Sequence, residues 1–565
     1  MRGLDDPFLS QHLNPFFLRL VNTYWDALLH GDIKEKEILE KSQFNLLRFV
    51  FRRLFQSIYA KHKVTTPNSV FFLSRILPDG IGDYYSLLKC AKFYAMTQPL
   101  VDVHVVYSHD QTLPIINAAD YSLLPKNIHS FFEYKNAQIL EPVLEASAKF
   151  SFDQVQENLI KEREEWRGRY DDIRVKKGYA VKSLEEMIDD LNGQIQRLET
   201  RKKLQYEAES IYTQLKQSSA IVHIALAFNT FDNPDFSTKS MYFAEMGNFQ
   251  GIGNALQRNW FSMGLHPFDE GIFLKKVFTG NTPWKEEKLP LLLWNTSHPT
   301  AAITADYFKH HSLYMGYLHR IPQQQKLFIN LVCAKEKSNP RTIDIILPTV
   351  QSKERAYRFD PAWLAAQGIQ KVVSMDLDQS VEILMETGAS SHKILRLIHC
   401  LPLPSSDFEN LLRLSDDVLG CTGDGSLSDC LASGKVPFYE MRKHKIEVIE
   451  ALQQVAKDLH LKCVGAYFDK MADASRLLPE TVAEELVEIL RRNSFKNEWS
   501  AFLNFIKQYY CFEDSMLSHI NRHILIGADP NLKANEEKVI HDYFKGKVLA
   551  SGAYEAVQSK VIHRT

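Results

Sequence analysis

The stretch Asp416–Glu440 reads DDVLGCTGDGSLSDCLASGKVPFYE. A short apolar run ends in a turn dense in glycine, threonine and serine. The turn opens a segment of small residues, which ends at Gly434 before a second apolar run. Strand, turn, helix and strand in this order are typical of a βαβ unit, in which the two strands are parallel. The stretch therefore predicts a Rossmann-like domain with a glycine turn between a strand and a helix.

This turn has the residue types that bind a diphosphate. Gly423 and Gly425 let the backbone approach a ligand closely, because glycine has no Cβ. The free N–H groups and the positive end of the new helix favour an anion. Glu440, at the end of the next strand, could accept hydrogen bonds from a ribose or sugar hydroxyl. The residues predicted to bind such a ligand are Thr422, Gly423, Asp424, Gly425, Ser426, Leu427, Ser428 and Glu440. A tight strand-to-helix turn that binds no ligand fits the same residues.

Residues 394–440 resemble the donor-binding domain of GT-B glycosyltransferases, and the looser match covers 326–450. In that family such a turn follows a leucine-proline … aspartate run, here begun by Leu401-Pro402. It precedes a small-residue helix and a glycine-x-proline strand, here Gly434–Pro437 with one extra residue. The resemblance implies two Rossmann-like domains. The C-terminal one would hold a nucleotide-sugar and the N-terminal one the acceptor.

The layout is also similar to protein-arginine rhamnosyltransferases, whose corresponding turn carries an acidic-serine pair. Here the pair is Asp424 and Ser426, with Gly425 between them. In the GT-B class the helix terminus and neutral or basic side chains stabilise the leaving diphosphate. The resemblance therefore implies that no metal and no separate cofactor is required, and that the nucleotide-sugar is a substrate.

A series of short apolar runs, separated by helical or turn segments, begins at about residue 326. This spacing predicts a doubly wound parallel sheet. The predicted strands are Leu327–Val332, Ile343–Leu347, Lys371–Met375, Ile394–Ile398, Asp417–Gly420 and Val436–Tyr439.

An earlier strand-turn-helix-strand pattern predicts a first α/β domain. The strands are Val70–Leu73 and Val101–Tyr107, and the turn between them contains Gly80–Asp83. A GT-B acceptor domain is expected to carry a glycine turn at this place. Asp83 could deprotonate or orient an acceptor, but aspartate is also a preferred helix cap.

Residues 155–216 are charged and helical in pattern. Apolar residues alternate spacings of three and four, as in the seam of a coiled coil. These residues are Val181, Leu184, Ile188, Leu191, Ile195 and Leu198. We interpret the segment as an inserted arm, folded back as an antiparallel hairpin. It either packs on its own domain or binds a partner, which includes a second copy of the chain or a protein acceptor.

A third group of candidates is His266, Asp269 and Glu270. A histidine and two carboxylates this close could form a base with its orienter, and Gly264 and Pro267 suggest a fixed loop. A polar structural loop is the alternative. No spaced partner completes a metal-ligand set. Arg320 could pair with a donor phosphate, although an arginine more often forms a surface ion pair.

The fold class predicted from these patterns is α/β, with two Rossmann-like domains of GT-B type, a helical N-terminal segment and an inserted coiled-coil arm. The predicted organisation is an N-terminal helical segment over 1–62, a first Rossmann-like domain over 63–154 and 217–325, the arm over 155–216, a nucleotide-sugar-binding domain over 326–450, and a helical region over 451–565.

Composition narrows the functional classes. Lys and Arg number 67 against 69 Asp and Glu, and this balance argues against a nucleic-acid partner. The seven cysteines form no Cys-x-x-Cys pair, which favours free thiols in a reducing compartment such as the cytoplasm. Asp5 and Asp6 lie where a signal peptide needs basic residues, and no apolar run is long enough to span a membrane. An apolar helical face within Phe44–Tyr59 either docks onto the protein or contacts a membrane surface.

The sequence therefore predicts a glycosyltransferase that uses a nucleotide-sugar. Asp83, His266, Asp269 and Glu270 are the candidate catalytic residues, and Arg320 joins the donor-binding set. A sugar-nucleotide epimerase or hydrolase of the same architecture is one alternative. The other is a non-catalytic interaction protein that acts through the arm. An inserted arm on this scaffold is also compatible with a bacterial effector secreted into a host cell.

Overall fold

The computed structural model describes residues 7–30, 36–65, 68–76, 81–109, 125–134, 152–177, 182–224, 238–244, 259–275, 283–318, 321–349, 359–441, 445–473 and 479–544. The chain divides into two compact units. The larger comprises Met1–Lys63, Lys92–Thr97 and Phe243–Thr565, and the smaller comprises Val64–Ala91 and Gln98–Tyr242. The predicted domain bounds differ from these and remain predictions.

The chain begins with three helices that belong to the larger unit: α1 (Pro7–His12), α2 (Pro15–His30) and α3 (Lys36–Tyr59). The apolar face of α3 is buried, with each side chain at most 3% exposed. Its residues are Leu47, Val50, Phe51, Leu54 and Ile58. They share one core cluster with Leu532 and Ile540 near the C-terminus, so the face docks onto the protein.

The smaller unit is built on a parallel sheet. Its strands lie in the order β3-β2-β1-β4-β5, and the ladders that join β3, β2, β1 and β4 are parallel. The predicted strand-helix-strand order is confirmed by the first three elements. Of the predicted turn, Gly80 lies outside the described residues and Ile81–Asp83 lie in the helix. The elements are β1 (Asn68–Ile76), α4 (Ile81–Thr97), β2 (Val101–His109), β3 (Ile128–Tyr134), α5 (Phe152–Lys177), α6 (Lys182–Gln217), β4 (Ala220–Ile224) and β5 (Ser240–Ala244).

Helices α5 and α6 form an antiparallel pair inserted between β3 and β4. Three side-chain hydrogen bonds join them: Gln156–Glu199 at 3.0 Å, Arg163–Asn192 at 3.4 Å and Tyr170–Glu185. Each step of seven residues along α5 is matched by a step of seven backwards along α6. On α6 the buried seam contains Leu191, Ile195 and Leu198. Polar pairs at a heptad interval beside an apolar seam hold the two helices in one register.

The larger unit contains the second sheet, whose strand order is β10-β9-β11-β8-β7-β12-β13. Every ladder is parallel except that of β10 with β9. The elements up to β13 are β6 (Trp260–Ser262), α7 (Lys288–Trp294), α8 (Ala301–His310), β7 (His311–Gly316), α9 (Pro322–Lys335), β8 (Thr342–Pro348), α10 (Pro361–Ala366), β9 (Ile369–Asp376), β10 (Val381–Glu386), β11 (Lys393–Leu401), α11 (Ser405–Leu414), β12 (Val418–Cys421), α12 (Asp424–Ala432) and β13 (Val436–Tyr439).

The prediction of a strand over Leu327–Val332 is wrong, because these residues lie in α9. Pro322 starts this helix, and nine of its residues are buried. A helix covered on several sides has a continuous apolar run, which cannot be told from a buried strand by periodicity. The first strand of this sheet is instead β7, a run that the sequence analysis did not identify as a strand. The other five predicted strands are confirmed.

The described chain ends in a set of helices. They are α13 (Ile446–Asp458), α14 (Lys462–Asp473), α15 (Pro479–Arg491), α16 (Asn493–Tyr509), α17 (Phe512–Ala528) and α18 (Pro530–Phe544). Helices α17 and α18 pack against α3, and Arg522 of α17 pairs with Glu536 of α18 beside Tyr59. All seven cysteines are free thiols. Among the helices described, none is both long and apolar enough to cross a membrane.

Candidate functional site

The second sheet changes its direction of growth beside β7. The chain adds β8, β9 and β11 on one side of β7, then crosses to add β12 and β13 on the other. In open α/β sheets, ligands bind outside the carboxyl ends of the strands at such a switch point. The switch point here lies between β7 and β12, and the glycine turn follows β12 directly.

Two glycines bring β7 and β12 together at this point. Gly316 and Gly420 are paired residues of the ladder. A Cβ on Gly420 would lie 2.8 Å from the Cα of Gly316, closer than real Cβ atoms approach backbone. The amide of Tyr317 donates to the carbonyl of Gly420 at 2.9 Å. The close approach fixes where each strand ends, and therefore where the turn after β12 begins.

The turn is held by its own residues. Gly423 precedes the first residue of α12 and has a φ of 112°, which favours glycine. The Oγ of Ser426 accepts from the amide of Thr422 at 3.0 Å and donates to the carbonyl of Gly423 at 3.1 Å. Thr422 and Ser426, predicted as ligand donors, therefore also bind each other across the turn.

The start of α12 is open to a ligand. In the part of the chain that the structure describes, no side chain caps this helix. Apart from the two adjacent residues and the backbone of the helix itself, no described atom lies within 4 Å of a Cβ built on Gly425. The first N–H groups of a helix have no partner within it. The Oγ of Ser428 is fully buried and, among the described residues, has no hydrogen-bond partner. The amides can donate to an anion placed over Gly425.

Glu440 closes the site on the side of β13. Its Oε1 accepts from the amide of Ile321 at 2.8 Å, and its Oε2 accepts from the hydroxyl of Thr422. Its amide donates to the carbonyl of Cys421 at 2.7 Å. The buried carboxylate thus ties the turn after β12 to the loop after β7, and each oxygen retains lone-pair capacity for a ligand hydroxyl.

Asp424 carries a negative charge into the first turn of α12, next to the place suited to a diphosphate. Lys445, the residue before α13, pairs with this carboxylate at 3.0 Å. Both side chains are largely buried, at 14% exposed for Asp424 and 6% for Lys445. The ammonium group offsets the carboxylate, so the positive end of the helix keeps its attraction for an anion.

The loop with His266, Asp269 and Glu270 is a compact turn closed by the bridge between Gly264 and Gly271. The Oδ2 of Asp269 accepts from the amide of His266 at 2.9 Å. Burial raises the pKa of Asp269 well above its usual value, against the hydrogen bond from the His266 amide and the charge of Arg53. Burial also lowers the pKa of His266, against the opposing charges of Glu447 and Glu450 on α13.

Glu270 links this loop to two helices. Its Oε2 accepts from Arg53 at 2.8 Å and from Gln56 at 2.7 Å, both on α3. On α17, Ser515 donates to the same oxygen and the Nε2 of His519 lies 3.2 Å away. Burial alone would raise the pKa of Glu270, but the charges of Arg53 and His519 hold it below the usual value. The carboxylate is therefore ionised and bound by protein donors.

The structure thus brings the predicted residues of the glycine turn and Glu440 into one site, and His266, Asp269 and Glu270 into one loop. Asp83 is the third residue of α4, in the other unit, and its side chain lies outside the described residues. Arg320 lies outside them as well.

Sequence reasoning missed Gly316 and Lys445. Gly316 ends β7, the strand that the sequence analysis did not identify. Lys445 lies five residues after Glu440, and a lysine just before an amphipathic helix was the signal that could have found it.

Comparisons with known proteins add little to this description. No protein-family model matches the sequence, and no curated protein matches it at a significant level. Among solved structures, a protein from Listeria monocytogenes described as a UDP-N-acetylglucosamine 2-epimerase is 9% identical with a TM-score of 0.33, over 80% of this chain and 94% of that one. The N-terminal domain of a Candida albicans trehalose-6-phosphate phosphatase is 9% identical with a TM-score of 0.25, over 78% and 97%. With scores this low, the functional argument rests on the geometry of the site.

Proposed function

We propose that this protein is a glycosyltransferase of GT-B type that binds a nucleotide-sugar at the switch point of its second sheet. One observation carries the proposal. The turn after β12 leads into a helix whose first amides are uncapped, with open space over Gly425. That arrangement suits a diphosphate, and the position is where open α/β sheets bind nucleotides.

The roles of the surrounding residues follow from their positions. The first amides of α12 and the hydroxyl of Ser428 donate to the diphosphate. Lys445 keeps the charge of Asp424 from repelling it. Glu440 accepts from a ribose or sugar hydroxyl while it holds Thr422. Fixed donors of this kind stabilise the charge that develops on the leaving diphosphate, so the reaction needs no metal.

For the acceptor side, Asp83, His266, Asp269 and Glu270 remain the proposed catalytic residues, and Arg320 remains a proposed phosphate ligand. Asp83 is the proposed base, because it lies in the first turn of a helix that follows a parallel strand. The α5–α6 pair is the proposed contact for a protein acceptor or a second copy of the chain. Its seam is satisfied within the pair, which leaves its charged outer faces for a partner.

The first experiment is a thermal-shift and calorimetric screen of the whole chain against UDP-, GDP-, dTDP- and CMP-sugars. A ligand at ~100 times its dissociation constant stabilises the fold by ~2.7 kcal/mol. We expect one nucleotide class to shift the melting temperature, and Gly425→Trp to remove the shift. Gly527→Trp is the matched control, because Gly527 is an exposed helical glycine with nothing within 4 Å of its Cβ position. A shift that survives in Gly425→Trp would place the ligand elsewhere.

A second experiment separates the reaction types. Incubation with the bound donor alone should give at most slow hydrolysis if the protein is a transferase. An epimerase would instead convert the donor to its isomer without an acceptor. Isomerisation observed by NMR would replace the proposal with that alternative.

The interaction-protein alternative predicts a different pattern. Deletion of 155–216 should then abolish function while donor binding stays intact. If donor binding is absent altogether and the deletion abolishes function, the glycine turn is structural.

A further inference from the structure

The larger unit contains a cavity of about 620 Å³ that includes none of the glycine-turn residues. Residues of α1, α3, the loop that contains Asp269, and the end of α16 line it. Cavities of roughly 300–1,000 Å³ are typical of small-molecule sites. The cavity is therefore large enough for a small ligand.

Two buried polar atoms of the lining residues have no hydrogen-bond partner in the part of the chain that the structure describes. They are Oδ1 of Asp269, whose residue is 3% exposed, and Nε of Arg53. The other carboxyl oxygen of Asp269 is bound by the amide of His266, and the terminal nitrogens of Arg53 are bound by Glu270 and two carbonyls. Native proteins pair buried polar groups with protein, water or ligand, so both atoms point to a polar occupant.

The charges of the lining favour an anion. Arg53 is neutralised by Glu270 at 2.8 Å, and Lys275 is neutralised by Asp514. Lys61 and Lys507 also line the cavity, and no ion pair with an acid is found for either among the described residues. Both are exposed at its rim. A phosphate at the rim would be bound by two ammonium groups, with its neutral part directed inward.

We propose that this cavity is a second ligand site, which takes a small phosphorylated polyol. The phosphate binds Lys61 and Lys507 at the rim, and hydroxyl groups reach the unpaired oxygen of Asp269 inside. Hydroxyls suit this end of the cavity because each can both donate and accept. No residue of the glycine turn lines this cavity, so the proposal does not rest on the donor site. The cavity does share Asp269 and Glu270 with the proposed catalytic residues, and the new assignment gives Asp269 a ligand-binding role.

The test uses the intact chain and calorimetry with glucose 6-phosphate, glucose and inorganic phosphate. We expect glucose 6-phosphate to bind at least about tenfold more tightly than either other probe, because only it reaches both ends of the site. The double variant Lys61→Ala/Lys507→Ala should weaken it by about tenfold or more. Exposed lysines tolerate this change, so folding is retained. Lys496→Ala is the matched control, an exposed lysine on the same helix as Lys507 but outside the cavity.

Three results would overturn the proposal: no binding of glucose 6-phosphate, unchanged affinity in the double variant, or inorganic phosphate binding as tightly as the sugar phosphate. The last would show an adventitious ion only. Gly425→Trp should leave glucose 6-phosphate binding unchanged. Failure of the nucleotide-sugar proposal is therefore distinguished from failure of this one.

Discussion

The polar groups of the second sheet are paired differently at the two ends of its parallel strands, which we call the amino edge and the carboxyl edge. Near the amino ends of its parallel strands, buried charges bind one another. After β12, Gly425 leaves space at the start of α12, whose first amides have no side-chain cap. The same sheet thus has one edge at which buried charges are paired by the protein and one edge at which we propose that a ligand binds.

The amino edge is centred on Asp344 of β8, which is fully buried. Arg396 of β11 donates to both of its oxygens, Tyr307 donates at 2.5 Å and the Nδ1 of His311 lies 3.0 Å away. Lys393 likewise donates to buried carbonyls, that of Glu336 among them at 2.8 Å. The partners that the structure gives Asp344 are all protein groups, so these residues form a buried network of ion pairs and hydrogen bonds.

This difference between the two ends of the strands indicates which end suits the proposed ligand site. Buried charge alone does not mark a site, since the amino edge has more of it. What distinguishes the carboxyl edge is polar capacity that the protein does not use. The following predictions test that division, because stability and ligand binding should respond separately.

The largest expected effect is on stability at the amino edge. Asp344→Ala leaves Arg396 and His311 without their buried partner, and loss of one partner of a buried ion pair costs roughly 3–5 kcal/mol. Urea unfolding of the variant measures this loss. The matched control is Asp306→Ala, which removes an exposed pair with Lys309 and should leave the free energy of unfolding nearly unchanged. An equal loss of unfolding free energy in the two variants would contradict the structural role of Asp344.

The next effect is at the junction of β7 and β12. Gly420→Ala places a Cβ 2.8 Å from Gly316, and the strands must separate. Overpacking of this kind costs about 1–3 kcal/mol. Nucleotide-sugar affinity should fall as well, because the turn moves with β12. Gly425→Ala is the comparison: its Cβ meets open space, so unfolding should show a change of less than about 1 kcal/mol.

A smaller effect is expected on donor affinity from the pair beside the turn. Lys445→Gln leaves Asp424 uncompensated at the start of α12, and affinity should fall about tenfold, which is ~1.4 kcal/mol. The double variant Asp424→Asn/Lys445→Gln should recover most of the loss, since the repelling charge is gone. Calorimetry of the wild type, the two single variants and the double variant measures the coupling. Independent, additive losses would mean that Lys445 does not act through Asp424.

The smallest effect is the pH dependence of the amino edge. Burial would raise the pKa of Asp344, but hydrogen bonds from His311 and Arg396 outweigh it and lower the pKa below 3.8. The unfolded chain therefore binds this proton first as pH falls. The ionised Asp344 therefore stabilises the fold fully above the pKa that it has in the unfolded chain. This stabilisation is lost as pH falls through the pKa that Asp344 has in the folded protein. The difference in unfolding free energy between wild type and Asp344→Asn should narrow as pH falls from 5 towards the folded pKa, and a constant difference would contradict it.

The sequence by itself determined the strands with clear boundaries and the place of the glycine turn between a strand and a helix. β13 begins and ends at the predicted residues, Val436 and Tyr439, because Gly434 and Glu440 flank a short β-type run. The turn was predictable because Gly423 and Gly425 follow a short apolar run and open a segment of small residues. Its ligand-binding role stays a prediction. The helical nature of 155–216 followed from spacings of three and four.

Tertiary packing decided the rest. Whether Leu327–Val332 formed a helix or a strand depended on what covered it, since a fully buried run has no periodic polar face. The partner of Asp424 is Lys445, and the pairing depends on where α13 begins after β13. The charge state of Asp269 and the ion pairs of Glu270 depend on α3 and α17, which lie more than 200 residues away in the chain. Local sequence sets residue type and period, whereas burial and pairing are set by segments that only the fold brings together.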